Sequence, residues 1–435
     1  VSKKLSVFIS TPFFAILGRA GGMVIPLFIA FFYGVSSKTD AFFFAYALVF
    51  FAGALFQQVL ESVMVPYFAE QRKMGEGRDL DLALHVAVII IPFVLIVSLL
   101  LAWGMSQFLP WLSGLSGDTS GLAVRLFLEM IPFLLLAVLA SAINGLFNTH
   151  KVFWYPAISP LIRSVVVVAA LFLFHELLGI HALAAGFAAG EALRCLISFY
   201  ILKQSGIIKS RKIREPFHFK QSLFWSETGI QVAAMAAVQM TPLINQWFAT
   251  WLGSGEVTLF SYADRLFMIP SQIFIAGISQ IFLSHWSEAA LESKPEDFRS
   301  RVIRETRLAF GIAFVISALL WIFRHEIVYL VYSHGDFDSQ YAPKVADSFG
   351  WLILGFAPAV LNSLYLRVLF VMRKPVVFCL QSWIKLVLQG GLNVWLGALM
   401  GITGLALGTT LATVMAACWI TWYVEHSWKK KTVSL

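Results

Sequence analysis

The sequence predicts an all-α polytopic membrane protein of about twelve transmembrane helices in two parallel six-helix repeats. Three observations lead there. Of 435 residues, 59% are hydrophobic and only 13% charged, about half the charge of an ordinary soluble domain. Apolar runs of membrane-spanning length recur along the whole chain. Finally, motifs of the first half return in the second at nearly constant spacing.

The first helix, 6–33, opens after Lys3 and Lys4 and runs past Arg19 to Tyr33. It has no A-x-A-like cleavage site, so it reads as a membrane helix and not a signal peptide. The second, 40–68, begins at TDAFFFA, carries Glu61 and is interrupted by Pro66. The third, 82–110, is the most apolar. Arg125 and Glu129 lie four residues apart in the fourth, 122–147. The fifth, 155–175, holds Arg163, and the sixth, 180–202, holds Glu191 and Arg194 at i,i+3. A polar, basic connector, QSGIIKSRKIREPFHFKQ at 204–221, follows.

The seventh helix, 222–252, carries Glu227, Gln239 and Asn245. Asp264 and Arg265 stand side by side in the eighth, 258–286, inside FSYADRLFMIP. The ninth is placed at 302–323, the tenth at 346–372 with Arg367, the eleventh at 376–399 with Lys385, and the twelfth at 402–425. The expected organisation is therefore an N-terminal lobe (1–203), a cytoplasmic linker (204–221), a C-terminal lobe (222–428) and a basic tail (429–435).

The two lobes read as copies of one unit. GIHALAAG at 179–186 returns as GITGLALG 222 residues later, LFNTHKVFWYP answers LFVMRKP at an offset of 223, and Asp40 and Asp264 lie 224 apart. A unit with an even number of helices enters from the same side each time, so the repeats are parallel, as in transporters that work by alternating access.

The formal charge of +8 is a topology signal and not a nucleic-acid footprint. Basic residues gather in alternate connections: Lys3 and Lys4, Arg72 to Arg78, the 204–221 connector, Lys294 to Arg307, Arg373 and Lys374, and Lys429 to Lys431. By the positive-inside rule both termini are expected in the cytoplasm, with anionic lipid headgroups as additional contacts. Cys195, Cys379 and Cys418 are far apart and have no metal-ligand or disulfide spacing. The outer connection 324–347 holds two histidines and several acids without nucleophile or metal-ligand spacing, so neither a catalytic centre nor a cofactor is expected.

Charges within membrane helices need partners or water. Arg125 with Glu129 and Glu191 with Arg194 can each close on one helix face, and Arg163 and Arg367 can snorkel from near the cytoplasmic ends. Asp264 and Arg265 cannot face each other, because adjacent helical residues point about 100° apart. Arg19 has no acid one turn away. Two readings stay open: inter-helix pairs that hold the bundle, or arginines facing a wet cleft and offering bidentate donors to an anion such as phosphate. Lys385, also without an acid one turn away, is open between pairing with a carboxylate such as Glu227, snorkelling, and a fixed cation in place of a monovalent ion.

TDAFFFAYAL at 39–48, VPYFAE at 65–70, LFNTHKVFWYPAISP at 146–160, FSYADRLFMIPSQIF at 260–274 and the YSHGDF turn at 332–337 resemble the MurJ/MviN family, lipid II flippases of the MOP exporter superfamily. The resemblance implies a two-lobe fold around a cationic cavity that receives a polyprenyl-diphosphate-linked saccharide. It implies substrate-binding roles for Arg19, Asp40 and Arg265, and Gln239 and Asn245 match polar positions of the family. By the residues alone, Asp264 joins the substrate-binding set, and Lys385, Glu61 and Glu227 are coupling or structural charges. The expected partners are that lipid-linked saccharide, membrane lipids and cell-envelope glycan synthesis proteins; the energy source is open between membrane potential and a monovalent cation.

The chain departs from the family at Ile25 and Pro26 and at Ala52 and Gly53, where family members carry further basic residues. It also ends after the twelfth helix, where members continue. These departures bring lipid II's relatives, such as exopolysaccharide or O-antigen repeat units, into the expected substrate class. The rival expectations are a MOP-type drug or metabolite antiporter, a membrane glycan polymerase or ligase, and a non-transporting scaffold.

Overall fold

In lipid no water is available to satisfy backbone amides, so the apolar runs of the sequence close their hydrogen bonds internally as helices. The computed structural model describes residues 2–58, 60–61, 64–75, 77–206, 221–292, 295–372 and 374–433. The first half contains α1 (Ser2–Tyr33), α2 (Ser37–Gln58), α3 (Val65–Met74), α4 (Arg78–Leu112), α5 (Gly117–Glu129), α6 (Ile131–Thr149), α7 (Trp154–Ile158), α8 (Pro160–Leu178) and α9 (His181–Gln204). The second contains α10 (Gln221–Thr250), α11 (Glu256–Glu292), α12 (Pro295–Ile322), α13 (Arg324–Tyr332), α14 (Ala342–Leu354), α15 (Phe356–Val371), α16 (Pro375–Met400) and α17 (Ile402–Val433).

Among the described residues nine helical stretches are long and apolar enough to cross a membrane. The predicted first, seventh and eighth segments are also helices, of 32, 30 and 37 residues. All twelve predicted segments are thus found as helix, several of them broken. The second ends at Gln58, widens into a π-type turn at Leu60 and Glu61, and restarts at Val65 with Pro66 in the first turn of α3, where a missing N–H costs nothing. Met130 divides the fourth into α5 and α6, and Ser159 divides the fifth into α7 and α8, in each case with a proline opening the next helix. By contrast α4, α10 and α11 continue through Pro92, Pro242 and Pro270.

The chain forms two compact units, Val1–Val232 and Ala233–Leu435, which divide inside α10. Each contains the repeated glycine motif, and its two end glycines do the same work in both. Gly179 and Gly401 take φ of +55° and +62°, a conformation open to glycine, and so end α8 and α16 in a tight reversal. Gly186 then brings α9 against α8, where a Cβ would lie 3.1 Å from the Val167 Cα. Gly408 brings α17 against α16, where a Cβ would lie 2.8 Å from the Asn393 Oδ1. The repeat therefore encodes a helical hairpin whose arms touch through a missing side chain.

The connection 324–347 opens with α13. Its Tyr332 is buried, packs on Tyr262 with ring centroids 4.9 Å apart and donates to the Tyr262 carbonyl at 3.1 Å. Burial pushes this hydroxyl well above the ordinary tyrosine pKa, so it stays a neutral donor. The YSHGDF turn closes the cluster with Phe337, 5.8 Å from the Tyr332 ring.

Candidate functional site

In the first unit, Asp40 lies in the opening turn of α2. That turn is fixed reciprocally: the Ser36 amide donates to Thr39 Oγ1 at 2.9 Å, and the Thr39 amide donates to Ser36 Oγ at 3.3 Å. Asp40 itself is 1% exposed. Glu61 stands in the π turn between α2 and α3 and accepts from Asn144 Nδ2 of α6 at 2.8 Å and from Gln57 Nε2 at 3.3 Å.

A second group of charges lies between α8 and α9. Glu191, fully buried, accepts from Arg194 at 2.8 Å and from Arg163 at 3.2 Å. Arg194 Nε also donates to Ser159 Oγ, and the Tyr155 hydroxyl meets both the Arg194 carbonyl and Ser198 Oγ. The expected pairing of Glu191 with Arg194 is present. The snorkelling expected of Arg163 is not: its guanidinium turns inward to Glu191 and lies over the Phe133 ring at 5.4 Å, since a buried carboxylate is the stronger attraction. The pairing expected between Arg125 and Glu129 also gives way. Glu129 meets His181 Nδ1 of α9 at 2.7 Å, because it sits where α5 ends and faces the neighbouring helix start.

In the second unit, Asp264 and Arg265 are both half-buried on α11. Asp264 makes no hydrogen bond or ion pair among the described residues. Gln239 is half-buried on α10. Asn245, 2% exposed, is the centre of a polar knot: its Oδ1 accepts from Gln389 Nε2 at 2.7 Å, Asn393 Nδ2 at 2.8 Å and Thr409 Oγ1 at 3.3 Å. Gln389 Oε1 and Asn393 Oδ1 in the same knot are buried without a donor among the described residues. Next to it, Gln246 Nε2 ties α10 to Ser261 of α11 at 2.7 Å. Lys385 lies one turn before Gln389 on α16, and has no hydrogen-bond or ion-pair partner among the described residues. The side chains of Arg19 and Glu227 lie outside the described residues.

The structure thus places Gln239 on α10 and Asp264 and Arg265 on α11, two helices joined by the Gln246–Ser261 bond, and turns Asn245 toward α16 and α17. Sequence reasoning missed Gln389, Asn393 and Thr409. A signal existed: Gln381, Lys385, Gln389 and Asn393 recur every four residues, a polar stripe on one face of an otherwise apolar helix. Chemically, half-buried arginine in an apolar helix is suited to hold an anion, and a knot of amides and hydroxyls is suited to lock helices or share lone pairs with a small cation.

The family profile described as MurJ, lipid II flippase MurJ, matches residues 29–434. Among curated relatives, the lipid II flippase MurJ of Burkholderia cenocepacia is 26% identical over 80% of this chain and 69% of its own length. A probable lipid II flippase MurJ of Thermotoga maritima is 22% identical over 99% of this chain and 86% of its own length. Of solved structures, a lipid II flippase MurJ in an inward closed conformation superposes with a TM-score of 0.82 at 20% identity, covering 97% of this chain and 87% of the other. An inward-facing multidrug resistance MATE transporter of the MOP superfamily gives 0.77 at 13% identity, covering 95% and 96%.

Proposed function

The chain belongs to the MurJ family of lipid II flippases, and from that premise we propose that it carries an undecaprenyl-diphosphate-linked saccharide across the membrane by alternating access. The cargo is lipid II or a related cell-envelope glycan precursor, moved from the cytoplasmic to the outer leaflet of the bacterial inner membrane. The family match over residues 29–434 carries this reading. The charges set into apolar helices support it: a diphosphate needs donors inside the membrane, and Arg265 on α11 is a half-buried guanidinium able to offer two at once. Arg19 is assigned the same task, with Asp40, Asp264 and Gln239 balancing or orienting the pair. The protein is a transporter and not an enzyme; no bond of the cargo is made or broken.

On this reading both termini lie in the cytoplasm, which the basic connections support by the positive-inside rule. Proteins that synthesise or polymerise the glycan are the natural partners, supplying cargo on one side and consuming it on the other. The energy source is assigned to the membrane potential, because a cargo bearing a diphosphate moves negative charge outward.

The likeness to MATE transporters is one of fold, and an antiporter of drug-like cations would need acids where this chain has Arg265. The experiment is a leaflet assay. Purified protein in proteoliposomes is given a labelled undecaprenyl-diphosphate disaccharide, and its accessibility to an externally added reagent is followed in time. Time-dependent exposure of the inner-leaflet pool is expected; protein-free rates with the diphosphate lipid, alongside transport of organic cations, would replace the flippase with the antiporter.

A further inference from the structure

The described residues contain one strongly basic helix face that the flipping reaction does not use. It lies at the start of α12. Arg301, Arg304 and Arg307 are all exposed, and the same face continues as Leu308, Ile312, Val315 and Leu319, each between 46% and 65% exposed. Spaced three residues apart, the arginines fall within one third of the helix circumference and rise about 9 Å from first to last. A leaflet's polar layer is about 5–7 Å deep. The ladder therefore spans headgroup depth, and its apolar continuation is the surface that acyl chains cover.

What makes this face more than a topology signal is where its acids go. Glu305 lies in the middle of the ladder, four residues after Arg301, and would neutralise it from the exposed side. It turns instead into the helix packing, where its Oε2 accepts from Nε1 of the fully buried Trp286 of α11 at 2.8 Å. Glu296 and Asp297 stay in the first turn, where they complement the helix N-terminus. None of the three arginines has an ion-pair partner among the described residues.

We infer that this face binds an anionic phospholipid, its phosphate held by Arg301 and Arg304 and its chains lying along Leu308 to Leu319. The occupant follows from the two chemistries being continuous: guanidinium donors for a phosphate oxygen directly above an apolar strip of acyl-chain length. A soluble phosphate would have no use for the strip, and a neutral lipid none for the unneutralised charge. Trp286 acts through Glu305, holding the one mid-ladder carboxylate away from the guanidinium groups. It is a positioning residue for the lipid.

The test uses the full chain, purified in detergent and offered phosphatidylglycerol and phosphatidylcholine in equal amounts, with bound lipids counted by native mass spectrometry. Phosphatidylglycerol is expected to be retained over phosphatidylcholine. The double variant Arg301→Gln and Arg304→Gln should lose about thirty-fold in its retention, two interfacial charges at roughly 1 kcal/mol each, while the Arg301→Lys and Arg304→Lys pair should keep most of it. Equal retention of both lipids, an unchanged glutamine variant, or displacement by millimolar inorganic pyrophosphate would overturn the assignment. If the glutamine variant does not fold, the unaltered chain decides: retention must fall as ionic strength rises, and salt-independent binding would overturn it. None of these readouts involves flipping, so the lipid site and the transport function stand or fall separately.

Discussion

Asn144 Nδ2 donates to the Glu61 carboxylate at 2.8 Å, and this bond lies where α2 gives way to α3. The next residue explains how the two come so close. A Cβ on Gly145 would lie 2.6 Å from the Leu60 carbonyl oxygen and 2.8 Å from the Phe68 ring. The π turn around Glu61 is therefore pressed onto α6 through the absence of a side chain. Gly145→Ala should destabilise the protein by about 1–3 kcal/mol, the usual cost of overpacking a tight contact, although alanine is the better helix former. A thermal melt in detergent that matches the unaltered chain would show that the turn does not need this contact.

The second prediction concerns Glu191. It is the carboxylate for two arginines, one 6% and the other 18% exposed at the side chain. Glu191→Ala leaves two cations in the helix packing with no counter-charge, and should cost about 3–5 kcal/mol. Arg163→Ala should cost clearly less, because Arg194 still satisfies Glu191. An equal loss of melting temperature for the two variants would mean that the three residues do not share one charge balance.

These cases also show what the sequence could and could not tell. The helices were legible because hydropathy is a local property, and the hairpins because Gly179 and Gly186 recur as Gly401 and Gly408. Glu191 with Arg194 was legible because i,i+3 spacing is a contact by itself. The inward turn of Arg163 was not, since its partner is 28 residues away on another helix. Glu129 chose His181 over Arg125 for the same reason: the ends of α5 and α9 meet in space and not in sequence. The break at Glu61 left a trace in Pro66, but its position is set by Gly145 from across the unit. Asp264 and Arg265 were conspicuous as charges in an apolar run, whereas the donors to Asn245 required knowing which helix α10 faces.

Asn245 gives the third prediction. Its single oxygen serves donors from Gln389, Asn393 and Thr409. Asn245→Leu takes the acceptor from Asn393 Nδ2, while Gln389 keeps Thr409 Oγ1 and Thr409 keeps the Leu405 carbonyl, and should cost about 1–3 kcal/mol, that of one unsatisfied buried polar group. Asn245→Asp keeps the acceptor and should cost less. If the leucine variant is the more stable of the two in a melt, the knot does not hold α10 to α16 and α17.

For Arg265 the expected effect is on transport and not on folding. Arg265→Ala should insert and melt normally yet lose flipping in the leaflet assay, and Arg265→Lys should recover little of it, because an ammonium lacks the planar fork that grips two phosphate oxygens. Full rescue by lysine would reduce the residue to a point charge. Normal flipping by the alanine variant would remove it from the anion site.

Lys385 belongs to the polar stripe of α16. Gln381, Lys385, Gln389 and Asn393 share one face of α16; Gln381 donates to Asn362 at 2.9 Å, and Gln389 and Asn393 bind Asn245. The lysine is the one charged member, and no described acid pairs with it. About one and two turns on, Gln389 Oε1 and Asn393 Oδ1 are buried lone pairs without donors among the described residues. A fixed ammonium beside idle oxygens supplies the positive charge that a transporter coupled to sodium would take from solution. Flipping by the unaltered chain should therefore be indifferent to a sodium gradient and respond to membrane potential alone. Lys385→Ala should lower the rate, and added sodium should restore part of it by occupying the vacated charge position. A steep sodium dependence of the unaltered chain in proteoliposomes would refute the fixed-cation role, and a fully active, sodium-indifferent Lys385→Ala would leave the lysine as packing for α16.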